Sequence, residues 1–286
     1  MLGAHQFVEG VRMSATEFHV ESLLGIAERL RSAGCVFAEE EARLLLAAVS
    51  GPAEIAAAVE QRVAGYPLEH ILGWAEFCGL RIELDAGVFV PRRRTGLLVN
   101  EAAALLSADA KREHLGGAEQ PVVVDLCCGS GAVGLPSPSG FRGWSSMRRT
   151  LTRLRWPAPA GTLAVWVVRS TRATCLRRCR PPSGADQCNG CQRPYVPTGA
   201  IESMPHEARE HEPLWSLDGG TDGLEFHRRV AAEATEWLRP GGNLIIETSE
   251  RQAGGTSSIL AHAGFAVRTV RSEELDGTAV VGRARP

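Results

Sequence analysis

The sequence predicts an α/β fold, with a helical N-terminal part followed by a mostly parallel sheet. Three observations lead there. Residues Thr16 to Gly73 carry apolar side chains near a helical period. The stretch "PVVVDLCCGSGAVGL", residues 121–135, reads as a buried strand, a glycine-rich turn and the start of a helix. From about residue 221 onward, helix-like and strand-like patterns alternate.

The elements follow in order. In "TEFHVESLLGIAERLRSAG", Phe18, Leu23, Leu24, Ile26 and Leu30 recur near a 3.6-residue period, with Thr16 as cap and Gly34 as stop. "EEEARLLLAAV" and "AEIAAAVEQRVAG" continue the bundle, their acids near the N-terminal ends where the helix dipole favours them. Glu76 to Val90 alternates and predicts a β-hairpin with its turn at Asp85-Ala86-Gly87. "TGLLVNEAAALL" is an amphipathic helix, followed by a polar loop to Gln120. "TDGLEFHRRVAAEATEWLRPGG" predicts a helix closed by Gly241-Gly242, and "NLIIET" a buried strand. "FAVRTV" and "TAVVGRA" predict two more strands.

Composition bounds the function. The 286 residues suffice for one large α/β domain and a small appendage. A hydrophobic content of 44% and a net charge of −2 describe an ordinary globular chain. No apolar run reaches the length of a membrane span, and "MLGAHQFVEGVRM" lacks a signal peptide's charged head and apolar stretch. A cytoplasmic protein is expected, and its eight cysteines read as thiols or metal ligands rather than disulfides.

The glycine turn carries the chemistry. Small residues there let a ligand approach the backbone and the helix N-terminus. Gly129, Gly131 and Gly134 satisfy a dinucleotide-type spacing, which is weak evidence alone. Asp125 at the strand end, with D-x-x-x-G-x-G spacing, has the shape of the first motif of S-adenosylmethionine-dependent methyltransferases.

With further stretches added, the chain resembles the HemK/PrmC family of protein-(glutamine-N5) methyltransferases. The residues that carry the resemblance are "GYPLEHILGWAEFCGLRIELDAGVFVPRRRTGLLV" (Gly65–Val99), "VVDLCCGSGAVGL" (Val123–Leu135), "PYVP" (Pro194–Pro197), "HEPLWSLDGGTDGLEFHRRV" (His211–Val230) and "LRPGGNLIIETSERQ" (Leu238–Gln252). Pro67, Gly73, Phe77, Gly79, Pro91, Arg92 and Thr95 match the first family pattern in order and spacing. Gly96 stands where an acid commonly follows that threonine.

The resemblance implies a Rossmann-like S-adenosylmethionine-dependent methyltransferase domain with an N-terminal helical bundle and a β-hairpin linker. The divisions are 1–74 (bundle, substrate recognition), 75–90 (hairpin linker) and 91–286 (methyltransferase domain with a seven-stranded sheet). It implies S-adenosyl-L-methionine as cofactor, held by Asp125, Cys127, Gly129, Ser130, Gly131 and Phe77, and no metal. Pro91, Arg92, Thr95, Pro194 and Tyr195 fall at substrate positions. The implied substrate is the Gly-Gly-Gln glutamine of a peptide chain release factor, met by a monomer without nucleic acid or membrane.

The family's catalytic Asn-Pro-Pro-Tyr aligns with Gln192-Arg193-Pro194-Tyr195, which makes Gln192, Pro194 and Tyr195 the catalytic candidates. Gln192 adds a methylene, and Arg193 replaces a proline that locks φ. Impaired activity is expected. The alternatives are an adenine-N6 nucleic-acid methyltransferase, which uses a similar tetrapeptide, and a non-enzymatic Arg-rich zinc-binding protein.

Residues 136–193 break the pattern. They hold eleven arginines and one acid, Asp186, leaving 20 basic and 32 acidic residues for the rest of the chain. Half of the tryptophans and half of the cysteines lie there too. One reading is a zinc module built on Cys175, Cys179, Cys188 and Cys191. A second is an Arg-rich nucleic-acid loop. The third is a segment translated out of frame, expected to be disordered or misfolded. Begun two bases late, codons permitted for Met147–Pro157 spell Ala-Ala-Asp-Ile-Asp-Pro-Ala-Ala-Val-Ala, which supplies the strand-terminal acid this region lacks. A second offset is needed before Pro194. Sequencing the gene is expected to reveal these displaced frames; a single frame with no such reading ends the idea.

Overall fold

The computed structural model describes residues 22–85, 87–112, 122–126, 130–133, 145–149, 163–168, 196–204, 209 and 218–285. The chain divides into two compact units, Met1–Ala64 and Gly65–Pro286.

The described part of the first unit is helical: α1 (Leu23–Ser32), α2 (Ala38–Ala48) and α3 (Pro52–Val63). Ser22 caps α1, its hydroxyl accepting from the Gly25 N–H at 3.2 Å. The predicted cap, Thr16, lies outside the described residues. Gly34, at φ +95°, ends α1 as anticipated. The Cys35 N–H donates to Leu30 O and the Gly34 N–H to Arg31 O, so the left-handed glycine satisfies the last carbonyls. Ile26, Leu30, Ala42, Leu45 and Val59 are buried. Arg62 of α3 grips Glu41 of α2 at 2.6 Å with both side chains about nine-tenths covered. Removing either partner would strand a buried charge.

The second unit begins with a short helix, α4 (Leu68–Leu72), and a hairpin of β1 (Trp74–Phe77) and β2 (Leu80–Glu83). The hairpin is real, but its turn is not at Asp85-Ala86-Gly87. Cys78 and Gly79 make it, both at positive φ (50° and 73°). Two central residues with φ above zero match the right-handed twist of paired strands. A 3-10 turn at Arg93–Thr95 then leads into α5 (Gly96–Arg112).

The sheet comprises β3 (Val122–Leu126), β4 (Ser145–Arg149), β5 (Leu163–Val168), β6 (Leu238–Thr248), β7 (Ala266–Ser272) and β8 (Gly277–Arg283). Its order is β4-β3-β5-β6-β8-β7. The first four strands run parallel, and β8 lies antiparallel between β6 and β7. Among the described residues the sheet has six strands rather than the seven implied by the resemblance.

Two strands come from 136–193, and the rest of that segment lies outside the described residues. Leu163–Val168 is an unbroken apolar run, the pattern a doubly covered parallel strand requires. Ser145–Arg149 sits at the sheet edge, where one flank needs no partner and side-chain demands are weaker. Cys175, Cys179, Cys188 and Cys191 lie outside the described residues.

Helices α6 (Glu225–Trp237) and α7 (Ala253–His262) complete the unit. The predicted closure of α6 at Gly241-Gly242 is corrected: the helix ends at Trp237 and the strand starts at once. The ladder to β5 is irregular there, pairing Leu163 with Leu238 but Val165 with Asn243. The surplus residues on β6 form a bulge that includes Gly241 at φ +73°.

His227 of α6 is buried in this layer. Its Nδ1 lies 2.9 Å from Thr256 Oγ1 of α7, which is 3.1 Å from Thr248 Oγ1 and itself donates to Gln252 O. Since Thr256 spends its proton on that carbonyl, Nδ1 carries the imidazole proton. Burial, aided by the Arg228 charge, lowers the His227 pKa from 6.5 to about 4. Above pH 6.5 the ring is neutral in folded and unfolded chain alike. Between 6.5 and about 4 only the unfolded chain takes up the proton. The stabilisation is therefore present above 6.5 and drains away as the pH falls, by roughly 1.4 kcal/mol per unit. Urea unfolding across this range is expected to be steeper in pH for the wild type than for His227→Gln.

Candidate functional site

The site follows from the strand order. The chain steps outward from β3 to β4, then returns to the other side of β3 as β5. The chain passes from β3 to one flank and from β5 to the other, and in such sheets ligands bind at the C-terminal ends of the strands where the order reverses.

Asp125, the penultimate residue of β3, is buried at that edge with 1% exposure. Beyond it, Gly131 is buried at φ +72°, a conformation that side-chain-bearing residues resist. The Ser130 hydroxyl oxygen is buried with no hydrogen-bond partner among the described residues. Cys127 and Gly129 lie outside those residues, as do Gln192, Pro194 and Tyr195.

Register puts further groups on the Asp125 face. Asp125 is level with Val167, and Val167 with Ile245 of β6. Ile245 packs in a cluster with Phe77, Leu98, Ala132 and Val133. The hairpin's Phe77, helix α5 and the segment after Gly131 thus share one face of the sheet with Asp125. Thr95, at 3% exposure, ends the 3-10 turn immediately before α5. Pro91 is buried, and the Arg92 guanidinium lies over the Phe89 ring at 5.1 Å.

Two features escaped sequence reasoning. Glu247, two residues beyond Ile245 on the same face, is a buried carboxylate at the end of β6. Arg94 donates to it at 3.2 Å, tying the Pro91–Thr95 segment to the sheet edge. An acid closing an otherwise apolar strand, "NLIIE", was the available signal. The second feature is close packing around α5. A Cβ on Gly96 would meet Cys78 Sγ at 3.3 Å, and one on Gly277 would meet the Arg94 carbonyl oxygen at 2.8 Å. The hairpin turn thus rests on the first residue of α5, where an acid would not fit without displacement.

No family model matches the chain. It is 32% identical over 285 residues to the release factor glutamine methyltransferase of Bradyrhizobium diazoefficiens, covering 91% of this chain and 93% of the relative. The chain belongs to the release factor glutamine methyltransferase family. It is also 30% identical over 223 residues to the 4-amino-L-phenylalanine/4-methylamino-L-phenylalanine methyltransferase of Streptomyces pristinaespiralis, covering 72% of this chain and 69% of that protein. A solved protein-(glutamine-N5) methyltransferase from Alicyclobacillus acidocaldarius is similar at 19% identity with a TM-score of 0.35, covering 69% of this chain and 95% of that one.

Membership in this family makes the protein an S-adenosylmethionine-dependent methyltransferase with a Rossmann-like sheet. The described residues at these strand ends fit that cofactor. A buried acid ends the strand, a left-handed glycine keeps the turn narrow, and the Ser130 oxygen has capacity for a ligand.

Gly277→Ala is expected to cost about 1–3 kcal/mol, because the Arg94 backbone must yield. Gly199→Ala, where an added Cβ meets nothing within 4 Å, should stay near wild type. Thermal unfolding of both variants checks this.

Proposed function

We propose that the chain transfers a methyl group to the side-chain nitrogen of a protein glutamine, that of the Gly-Gly-Gln tripeptide in a peptide chain release factor. What supports this reading is the shared sheet face: by register Asp125 lies on the face that Ile245, Phe77, Leu98 and Ala132 occupy, and the left-handed Gly131 directly precedes Ala132. The first relative's name supports the substrate.

In this reading Asp125, Ser130 and Gly131 hold S-adenosyl-L-methionine, with Cys127, Gly129 and Phe77 completing its surroundings. The cofactor supplies an electrophilic methyl group on a sulfonium. The protein must supply a nucleophile from an amide nitrogen whose lone pair is delocalised into its carbonyl. Acceptors on the two N–H groups orient that nitrogen in line and stabilise charge as the proton leaves. Gln192 offers an amide oxygen, and the Tyr195 ring a surface for the amide plane. The extra methylene at Gln192 and the freed φ at Arg193 make slow turnover the expectation. Pro91, Arg92 and Thr95 line the substrate side, and residues 1–74 take part in recognition. The working form is a cytoplasmic monomer that needs no nucleic acid; no helix among the described residues is long and apolar enough to cross a membrane.

Labelled methyl transfer to a purified release factor tests this. Label is expected on the wild-type factor and absent from its Gly-Gly-Ala variant. Asp125→Ala should weaken S-adenosylmethionine binding by roughly tenfold or more, about 1.4 kcal/mol. Cofactor binding without label on the factor would overturn the substrate assignment. Asp125→Ala binding as tightly as wild type would overturn the pocket.

A further inference from the structure

The chain directly after Tyr195 is held by a loop on the far side of a gap in sequence. Val196 forms an isolated parallel bridge with Asp218. The Gly219 N–H donates to Val196 O at 2.9 Å, and the Thr198 N–H to Gly220 O at 3.1 Å. One side-chain atom locks the arrangement. Asp218 Oδ1 accepts from Thr198 Oγ1 at 2.7 Å and from the Gly220 N–H at 3.0 Å.

The loop that provides this grip is itself fixed. Gly220, at φ +87°, accepts from the Gly223 N–H at 3.1 Å as well as from Thr198. A Cβ on Gly220 would meet Glu225 Oε2 at 3.1 Å, so the turn admits little else. Asp222 Oδ1 accepts from the Leu224 N–H at 3.0 Å and from Arg228 Nη1 at 3.1 Å. Asp222 O accepts from Gln252 Nε2 at 3.0 Å, which ties the loop to the turn after β6. Hydrogen bonds thus run from Val196 to the end of the central strand.

We infer that Asp218 is a positioning residue for methyl transfer: by clasping Thr198 and Gly220 it fixes the chain that carries Pro194-Tyr195. The inference rests on the methyltransferase reading above. Asp218 need not touch substrate or cofactor. It fixes the backbone of Val196–Thr198, which directly follows Tyr195 in sequence, and a small displacement of an amide-aligning group costs rate rather than affinity.

Three variants test it: Asp218→Ala, Asp218→Asn and Thr198→Val. Hydrogen exchange at the Thr198, Gly219 and Gly220 amides reads the clasp. Initial rates with a release factor give kcat and KM, and titration gives the S-adenosylmethionine Kd. Asp218→Ala deletes two hydrogen bonds and is expected to speed exchange and lower kcat, each roughly tenfold or more, with Kd and KM within about twofold. Asp218→Asn keeps Oδ1 as an acceptor and should recover most of both. Thr198→Val, losing one bond, should fall between. Unchanged exchange in Asp218→Ala would refute the clasp. Faster exchange at unchanged kcat, or a loss confined to Kd, would refute the positioning role. A wild-type chain that transfers no methyl overturns the proposed function instead, while the exchange measurement still decides the clasp.

Discussion

The structure depends on the two-sided pairing of β6. Its residues Asn243–Thr248 bond to β8 on one flank, and Asn243–Ile246 to β5 on the other. All six are buried. Period-two alternation then does the rest. Leu244 and Ile246 meet Phe226, Val230 and Leu260 of the helical layer, whereas Ile245 meets Phe77, Leu98 and Val281 on the opposite face. A one-residue slip would exchange those faces and set Glu247 among the aliphatic side chains of α6 and α7. The same register brings Glu247 beneath Arg94 and Ile245 level with Asp125. The arrangement of Asp125, Glu247 and Arg94 is in this sense a by-product of one strand's alignment.

How much of this was legible depended on whether a signal was local. Val122–Leu126 and Leu244–Ile246 are apolar or nearly so, and such runs read as strands from composition alone. The hairpin was legible as an alternation, but its turn was not. Asp85-Ala86-Gly87 has the residue types of a turn, while Cys78 adopts a positive φ that a cysteine rarely takes and only a paired hairpin imposes. Leu238–Gly242 looked like a helix end because Pro-Gly-Gly stops helices. Whether a strand begins there was decided by pairing with β5, some 75 residues earlier, which no local window contains. At the site, Asp125 and Gly131 were readable from spacing. Glu247 was not, since its partner Arg94 is 153 residues away in sequence.

The departures from the family pattern have physical explanations where the structure describes them. Gly96 removes a side chain that would press on Cys78 Sγ. A side chain there would require Cys78 to give by a few tenths of an ångström. Arg94 is matched to a carboxylate that burial alone would otherwise penalise. Such a pair adds little net stability once desolvation is counted, but it fixes direction. It orients the Pro91–Thr95 segment toward the sheet edge rather than strengthening it.

The anomalous segment separates two kinds of information. A parallel ladder needs only backbone N–H and C=O groups, which every residue except proline provides in full. Ser145–Arg149 and Leu163–Val168 can therefore flank β3 although the surrounding composition is foreign to the rest of the chain. Ligand recognition has no such tolerance, because it resides in particular side chains at particular levels. Arg148 is level with Asp125, and Arg149 with Leu126, at the end of β4. The displaced frame places its first aspartate at the junction of the Arg149 and Thr150 codons, immediately past that strand. Backbone pairing at Ser145–Arg149 and Leu163–Val168 is thus compatible with many side-chain sets, whereas a shift of frame within 136–193 would change which charges stand at the end of β4.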